Sequence, residues 1–178
     1  MNSTRLFALS ALARGGAMHG YAIRQAAQLD RTELWTDVKP GSLYSVLKRM
    51  ADEGLVRVAR TERDGNPPER TVFEITEAGR AELVRQRDAA LLDVRLRPDP
   101  VDLALQFTPD LSPDRLTTLF TVRRQAVAEQ LAQFRREQVT AAPDLTGLEP
   151  LIFEHCVARL EAELAWHDRV LDRLRETT

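Results

Sequence analysis

The spacing of apolar residues predicts a mainly α-helical chain with one small two-stranded β-hairpin, in two units, residues 1–85 and 86–178. Three observations predict it. Apolar residues recur at i, i+3 or i+4, the helical period, over most of the sequence. That period gives way to alternation only between Leu55 and Thr76, with a polar turn in the middle. Towards the C-terminus the apolar positions hold a strict 4-3 spacing over three heptads, from Phe153 to Leu174.

The first helix is expected over residues 4–13, where Leu6, Leu9 and Leu12 recur, and Gly15-Gly16 ends it. A second runs from His19 to Leu29 and packs through Tyr21 or Ala22, Ile23, Ala26 and Ala27. The break after it holds Asp37 and Trp35, the latter read as a core residue. The third helix has the sharpest limits. Pro40 suits a first helical position, where its missing N–H costs nothing, and Gly54 suits the residue just past the end. Leu43, Val46, Leu47 and Met50 make one stripe at about 100° per residue. Gly41, Ser45, Lys48 and Asp52 fall opposite, flanked by Tyr44 and Arg49.

Leu55–Thr61 and Thr71–Thr76 alternate, and Arg63 to Glu69 is turn chemistry, which makes the hairpin with a long polar tip. Thr76 is an N-cap for a fourth helix that continues to about Val94, with Glu77 in its first turn and Gly79 tolerated at modest cost. Residues 97–114 carry four of the nine prolines and read as a connector with an apolar insert, Val101 to Phe107. Two long helices follow. Asp114 to Val139 places Leu116, Phe120, Val127, Leu131 and Phe134 on one side. Glu149 to Arg175 carries the 4-3 stripe of Phe153, Val157, Leu160, Leu164, His167, Leu171 and Leu174, a seam for a partner helix; the sequence leaves open whether that helix belongs to the same chain or to a second one, and the regularity of the stripe suggests the second.

Composition removes several function classes. With 43% hydrophobic and 29% charged residues and a mean hydropathy of −0.33, the chain falls in the soluble globular class. No apolar run approaches the roughly 20 residues of a membrane helix, so no membrane partner is expected. Arg14-Gly-Gly follows the first apolar stretch instead of a cleavage site, the pattern of a mature cytoplasmic N-terminus. Cys156 stands alone and cannot form an intrachain disulfide, which fits a reducing compartment. Gly-rich phosphate loops, Gly-x-Ser-x-Gly and His-Glu-x-x-His are all missing, so neither catalytic residues nor a cofactor are expected. His155, Cys156 and His167 lack the paired spacing of a zinc site, and no metal is expected.

The net charge of −2, from 25 Lys+Arg and 27 Asp+Glu, argues weakly against nucleic acid as a partner. It is unevenly spread. Residues 1–80 hold 12 basic and 10 acidic side chains, or +2, whereas residues 81–178 hold 13 and 17, or −4.

Three helices and a hairpin in this order make a winged helix-turn-helix. Reading DNA needs a helix held by a core at its back and exposing small and polar groups at its front, sized for the major groove. The third helix fits: Gly41 and Ser45 permit close approach, Lys48 and Arg49 reach phosphates or a guanine edge, and Tyr44 either contacts DNA or packs. Lys39 and Ser42 lie just ahead of it. His19 and Tyr21, where the second helix begins, are backbone clamps because helix N-termini donate N–H groups to phosphates. Arg60, Arg63 and Arg70 lie on the wing. In the C-terminal half Phe107, Phe120, Phe153 and Trp166 either line an effector pocket or pack in a dimer core.

Met18-His19-Gly20-Tyr21, Gly41-Ser42-Leu43-Tyr44, Leu47-Lys48-Arg49-Met50, Glu53-Gly54-Leu55-Val56 and Thr76-Glu77-Ala78-Gly79-Arg80, in this order and spacing, resemble the PadR family of bacterial transcriptional regulators. The resemblance is dense over residues 5–85; residues 86–178 look like the longer multi-helix C-terminal domain of one PadR subgroup in length and pattern only. It implies a homodimeric winged-helix repressor on a palindromic operator, assembled through its C-terminal helices and released from double-stranded DNA by a small molecule or other signal. Two positions depart from the pattern. Gly65-Asn66-Pro67-Pro68-Glu69-Arg70 stands where family wings read Gly-Arg-Pro followed by basic residues, and Phe73 stands where Tyr is frequent. The slight charge of the front half also fits an alternative, a dimeric winged-helix module that binds protein instead of DNA.

Overall fold

In the computed structural model of the chain the described residues are 2–62 and 70–176, and they fall into two compact units, Met1–Leu96 and Arg97–Thr178. The first unit contains α1 (Ser3–Gly15), β1 (Met18–His19), α2 (Gly20–Leu29), α3 (Leu43–Asp52), β2 (Val56–Glu62), β3 (Arg70–Ile75) and α4 (Glu77–Leu91). The second contains α5 (Pro100–Leu105), α6 (Pro113–Ala141) and α7 (Pro150–Glu176).

Four helices, α1, α4, α5 and α6, start where a side chain offers an acceptor for their orphan N–H groups. The Asn2 side chain accepts from Arg5 N, that of Asp99 from Val101 N and that of Ser112 from Arg115 N, the last two just ahead of Pro100 and Pro113. Pro40 opens a short 3-10 turn, Pro40–Ser42, and the α-helix begins only at Leu43. The core of the first unit draws on every element the apolar periods pointed to: Leu9 and Leu12 of α1, Ile23 and Ala27 of α2, Leu43, Leu47 and Met50 of α3, and Phe73 and Ile75 of β3.

The sheet has three strands, not the two expected, in the order β1-β3-β2, all antiparallel. Met18 and His19 pair with Phe73 and Val72, so the turn between α1 and α2 is tied to the hairpin. Two residues are too few for alternation to register in a sequence. A register shift between Val58 and Arg60 bulges β2 and sets Arg60 opposite Val72.

Thr76 caps α4, accepting from Gly79 N while its hydroxyl donates to the carbonyls of Gly54 and Leu55. Gly79 is required by contact as well as tolerated. A Cβ there would lie 2.0 Å from the Leu55 carbonyl oxygen and 2.8 Å from Ile75 Cγ1. The helix continues to Leu91, so the expected boundary at residue 85 falls inside it; the division between units comes after Leu96. Trp35, expected in the core, is 38% exposed, and its indole N–H donates to the Asp30 carbonyl.

Part of the seam on α7 packs within its own chain. His167 and Leu171 are buried, and Phe120, Val127, Leu131 and Phe134 of α6 are buried with them. Arg124 pairs with Asp168 and Arg135 with Glu161, so the two helices run antiparallel. The stripe thus packs against α6 of its own chain at His167 and Leu171. The eight-residue connection between α6 and α7 is short enough to fold one onto the other.

Candidate nucleic-acid interface

The inward stripe of α3 pins its opposite face outward. Tyr44, Ser45, Lys48 and Arg49 are exposed, as are Gly41 and Lys39 just before the helix. Among the described residues Lys39, Lys48 and Arg49 make no ion pair. Ser42 Oγ donates to the Lys39 carbonyl at 2.9 Å and Ser45 Oγ to the Ser42 carbonyl at 2.8 Å. Each hydroxyl proton is thus engaged, and both serines present an acceptor oxygen to the surface.

Tyr44 is part packed and part open to solvent. Its ring lies against Gly20, where an added Cβ would come within 2.9 Å of Cε2, and it remains 54% exposed. Gly20 is thereby the residue that lets the start of α2 approach α3. Tyr21 follows it and is 70% exposed.

His19 is the N-cap residue of α2 but makes no side-chain cap bond. Its Nε2 lies 3.2 Å from Glu62 at the end of β2, and Arg60 Nε donates to the same carboxylate at 2.6 Å. The Arg60 bond is the main reason that the Glu62 carboxyl lies below the usual carboxylate range. Glu62 thus ties two of the expected DNA-facing side chains together. Sequence reading had missed it, because the contact depends on β1 joining the sheet. Arg63 lies outside the described residues, and of Arg70 only the backbone is described, paired with Glu62 across the hairpin.

A pocket of about 380 Å³ opens in the second unit. Val101 and Leu105 of α5, Phe107 and Thr108 of the following turn, and Phe120 and Arg123 of α6 line it. Two of the four expected effector residues, Phe107 and Phe120, are therefore in its wall. Trp166 is not, but it meets Phe120 edge-on with ring centroids 5.9 Å apart. Phe153 belongs to neither group, being half-buried in the first turn of α7. Arg123 was missed. Its Nε donates to His167 Nε2 at 3.0 Å, and its NH2 group donates to Asp99 at 2.6 Å.

His167 is fully buried, with Nδ1 2.7 Å from the Glu163 carbonyl. Both ring nitrogens are engaged, which leaves neither for a metal. Among the described residues no group of three or more His, Cys, Asp or Glu is placed to hold one. Burial pushes the Cys156 thiol up. Among the described residues no helix is long and apolar enough to cross a membrane.

Residues 8–85 match the model of the transcriptional regulator PadR-like family. No curated protein sequence matches the chain. Among solved structures, that of Bacillus subtilis PadR in complex with operator DNA is 22% identical, with 98% of each chain covered and a TM-score of 0.75. A PadR-like transcriptional regulator from Bacillus cereus is 16% identical, covers 98% of this chain and 99% of its own, and gives 0.72. Bacillus subtilis PadR in complex with p-coumaric acid is 20% identical over 96% of this chain and 99% of that one, also with 0.72. The chain is thus PadR-like, in sequence over residues 8–85 and in fold over its whole length.

Proposed function

We propose that this protein is a DNA-binding transcriptional repressor, a homodimer on a palindromic operator, working in the cytoplasm and released by a small molecule or another signal. One observation carries the reading: the outward face of α3 presents Lys48 and Arg49 without ion pairs, beside Tyr44 and the acceptor oxygen of Ser45. In this reading α3 enters the major groove, while Lys39, Ser42, His19 and Tyr21 hold the flanking phosphates, and the wing contributes through Arg60, Arg63 and Arg70. A symmetric dimer sets its two copies of α3 about 34 Å apart, one turn of DNA, or a multiple of that. Bacillus subtilis PadR supports it, since the same fold has been crystallised with operator DNA and with p-coumaric acid. The apolar side chains of Val94 and Leu96, more than 90% exposed, support a second copy as the partner that covers them.

The test is a titration of the full chain against DNA flanking its own gene, with Lys48→Ala and Arg49→Ala beside the parent. Each substitution is expected to weaken binding about tenfold or more at fixed salt, with unchanged thermal unfolding. Unchanged affinity for both variants refutes the role of α3. A DNA affinity that does not fall with salt returns the chain to the protein-binding alternative, because phosphate contacts release counterions.

A further inference from the structure

The outward face of α3 carries two side chains that can only give hydrogen bonds, Lys48 and Arg49, and between them and Gly41 stands Ser45. We propose that Ser45 sets part of the operator's sequence: its hydroxyl oxygen accepts from an exocyclic amino group in the major groove, N6 of adenine or N4 of cytosine. The inference rests on the regulator reading and deepens it, from a face that binds DNA to the base chemistry that one side chain selects.

The position follows from the helix. At about 100° per residue Ser45, Lys48 and Arg49 fall together, nearly opposite the buried Leu43, Leu47 and Met50. Ser45 lies in the first turn of α3 and is exposed, and the N-terminal residues of a recognition helix are the ones that reach base edges. A serine is short, so its oxygen meets a base only where the backbone comes close. Gly41, in the turn before, has no Cβ, and nothing lies within 4 Å of where one would stand.

The sign of the contact follows from the proton. A serine hydroxyl has one hydrogen and two lone pairs. Ser45 Oγ gives its hydrogen to the Ser42 carbonyl at 2.8 Å, which leaves only lone pairs for a ligand. Along the major groove adenine N6 and cytosine N4 donate, whereas purine N7, guanine O6 and thymine O4 accept. An amino group lets the serine keep its backbone bond. An acceptor makes it break that bond first, at a cost of about two- to tenfold in affinity. The first turn of α3 thereby biases this hydroxyl towards donors on the DNA. Lys48 and Arg49 make the opposite demand, for phosphates or the O6 and N7 of guanine. The face therefore reads both signs, and a stretch of guanines alone does not satisfy it.

The full chain is used to select duplexes from a pool of random sequence, in parallel with Ser45→Ala, which removes an exposed hydroxyl and raises helix propensity. The parent's preferred duplex is then remade with single amino groups deleted, deoxynebularine replacing each adenine in turn and 2-pyrimidinone each cytosine. One deletion in each half-site is expected to weaken the parent roughly three- to tenfold more than Ser45→Ala, in anisotropy titrations at fixed salt. Each analogue also loses a bond within its own base pair. Parent and variant feel that loss alike, so their ratio isolates the serine. A sensitive adenine assigns the contact to N6, and a sensitive cytosine assigns it to N4. Equal ratios at every position overturn the proposal. So does a variant that differs from the parent only in its response to 7-deazaguanine, the mark of a hydroxyl turned to donate. Both results leave the regulator reading standing, since each requires a bound duplex; a pool from which nothing is enriched overturns the two together.

Discussion

Glu62 holds the position that a DNA phosphate takes in the proposed complex. Its carboxylate receives Arg60 at 2.6 Å and faces His19 Nε2 at 3.2 Å, two side chains of the expected interface. Replacing it with Gln preserves the shape, removes the negative charge and frees Arg60 for the backbone. Each added phosphate contact steepens the fall of log K with log salt by about 0.9, so a fourfold rise in salt erodes the gain by about 3.5-fold. Glu62→Gln is therefore expected to bind operator DNA roughly three- to tenfold more tightly at about 50 mM salt, with most of that advantage gone by about 200 mM. Fluorescence anisotropy titrations of a labelled duplex at four salt concentrations measure both quantities. Glu53→Gln is the control: it removes the same charge, from a carboxylate bound to Arg5 of α1. The reasoning fails if the salt slope of Glu62→Gln equals that of the parent or of Glu53→Gln.

Two further predictions concern the first unit's stability. Gly79→Ala sets a Cβ against the Leu55 carbonyl, and the clash outweighs the gain in helix propensity, for a net loss of roughly 1–3 kcal/mol in urea unfolding; an unchanged midpoint contradicts it. Glu82 is pushed down to about 2, first by its bond from Arg85 and then by that from Gln86. Its folded pKa lies below the unfolded one, so its contribution is present above the unfolded value of 4.5 and is lost as pH falls towards 2. Discounted for the exposure of Arg85, that is roughly 1–2 kcal/mol, and Glu82→Gln should flatten the acid limb of a melting-temperature profile; an unaltered limb counts against it.

What was legible in the sequence and what was not divide along the range of the interaction. The α3 stripe, the Thr76 cap and the hairpin were visible because each is written within a few neighbouring residues. β1 was invisible because a two-residue strand exists only by pairing with β3. The Glu62 contact with His19 inherits that blindness, spanning residues 43 apart in number. The seam on α7 was read as a stripe for a facing helix, and α6 of the same chain packs on part of it; a heptad pattern specifies a facing helix without saying whose it is. His167 was found on that seam. Its bond to Arg123 was not, because nothing in the residues around either one announces the other.

Net charge is a poor guide to this interface because several of the front half's arginines are already answered. The front half's excess of +2 counts Arg5, Arg57 and Arg60 as free, although Glu53, Glu74 and Glu62 hold them. Those pairs can be removed from the sum without changing it, yet they leave a different molecule, in which the surplus sits on the outward side of α3 and just ahead of it. An exposed ion pair contributes little to stability and cannot serve a phosphate without first being broken. Lys39, Lys48 and Arg49 incur no such cost, so they should dominate DNA affinity while the wing arginines set its dependence on salt. A nearly neutral chain can thus present a cationic reading face, provided its acids are spent on arginines elsewhere.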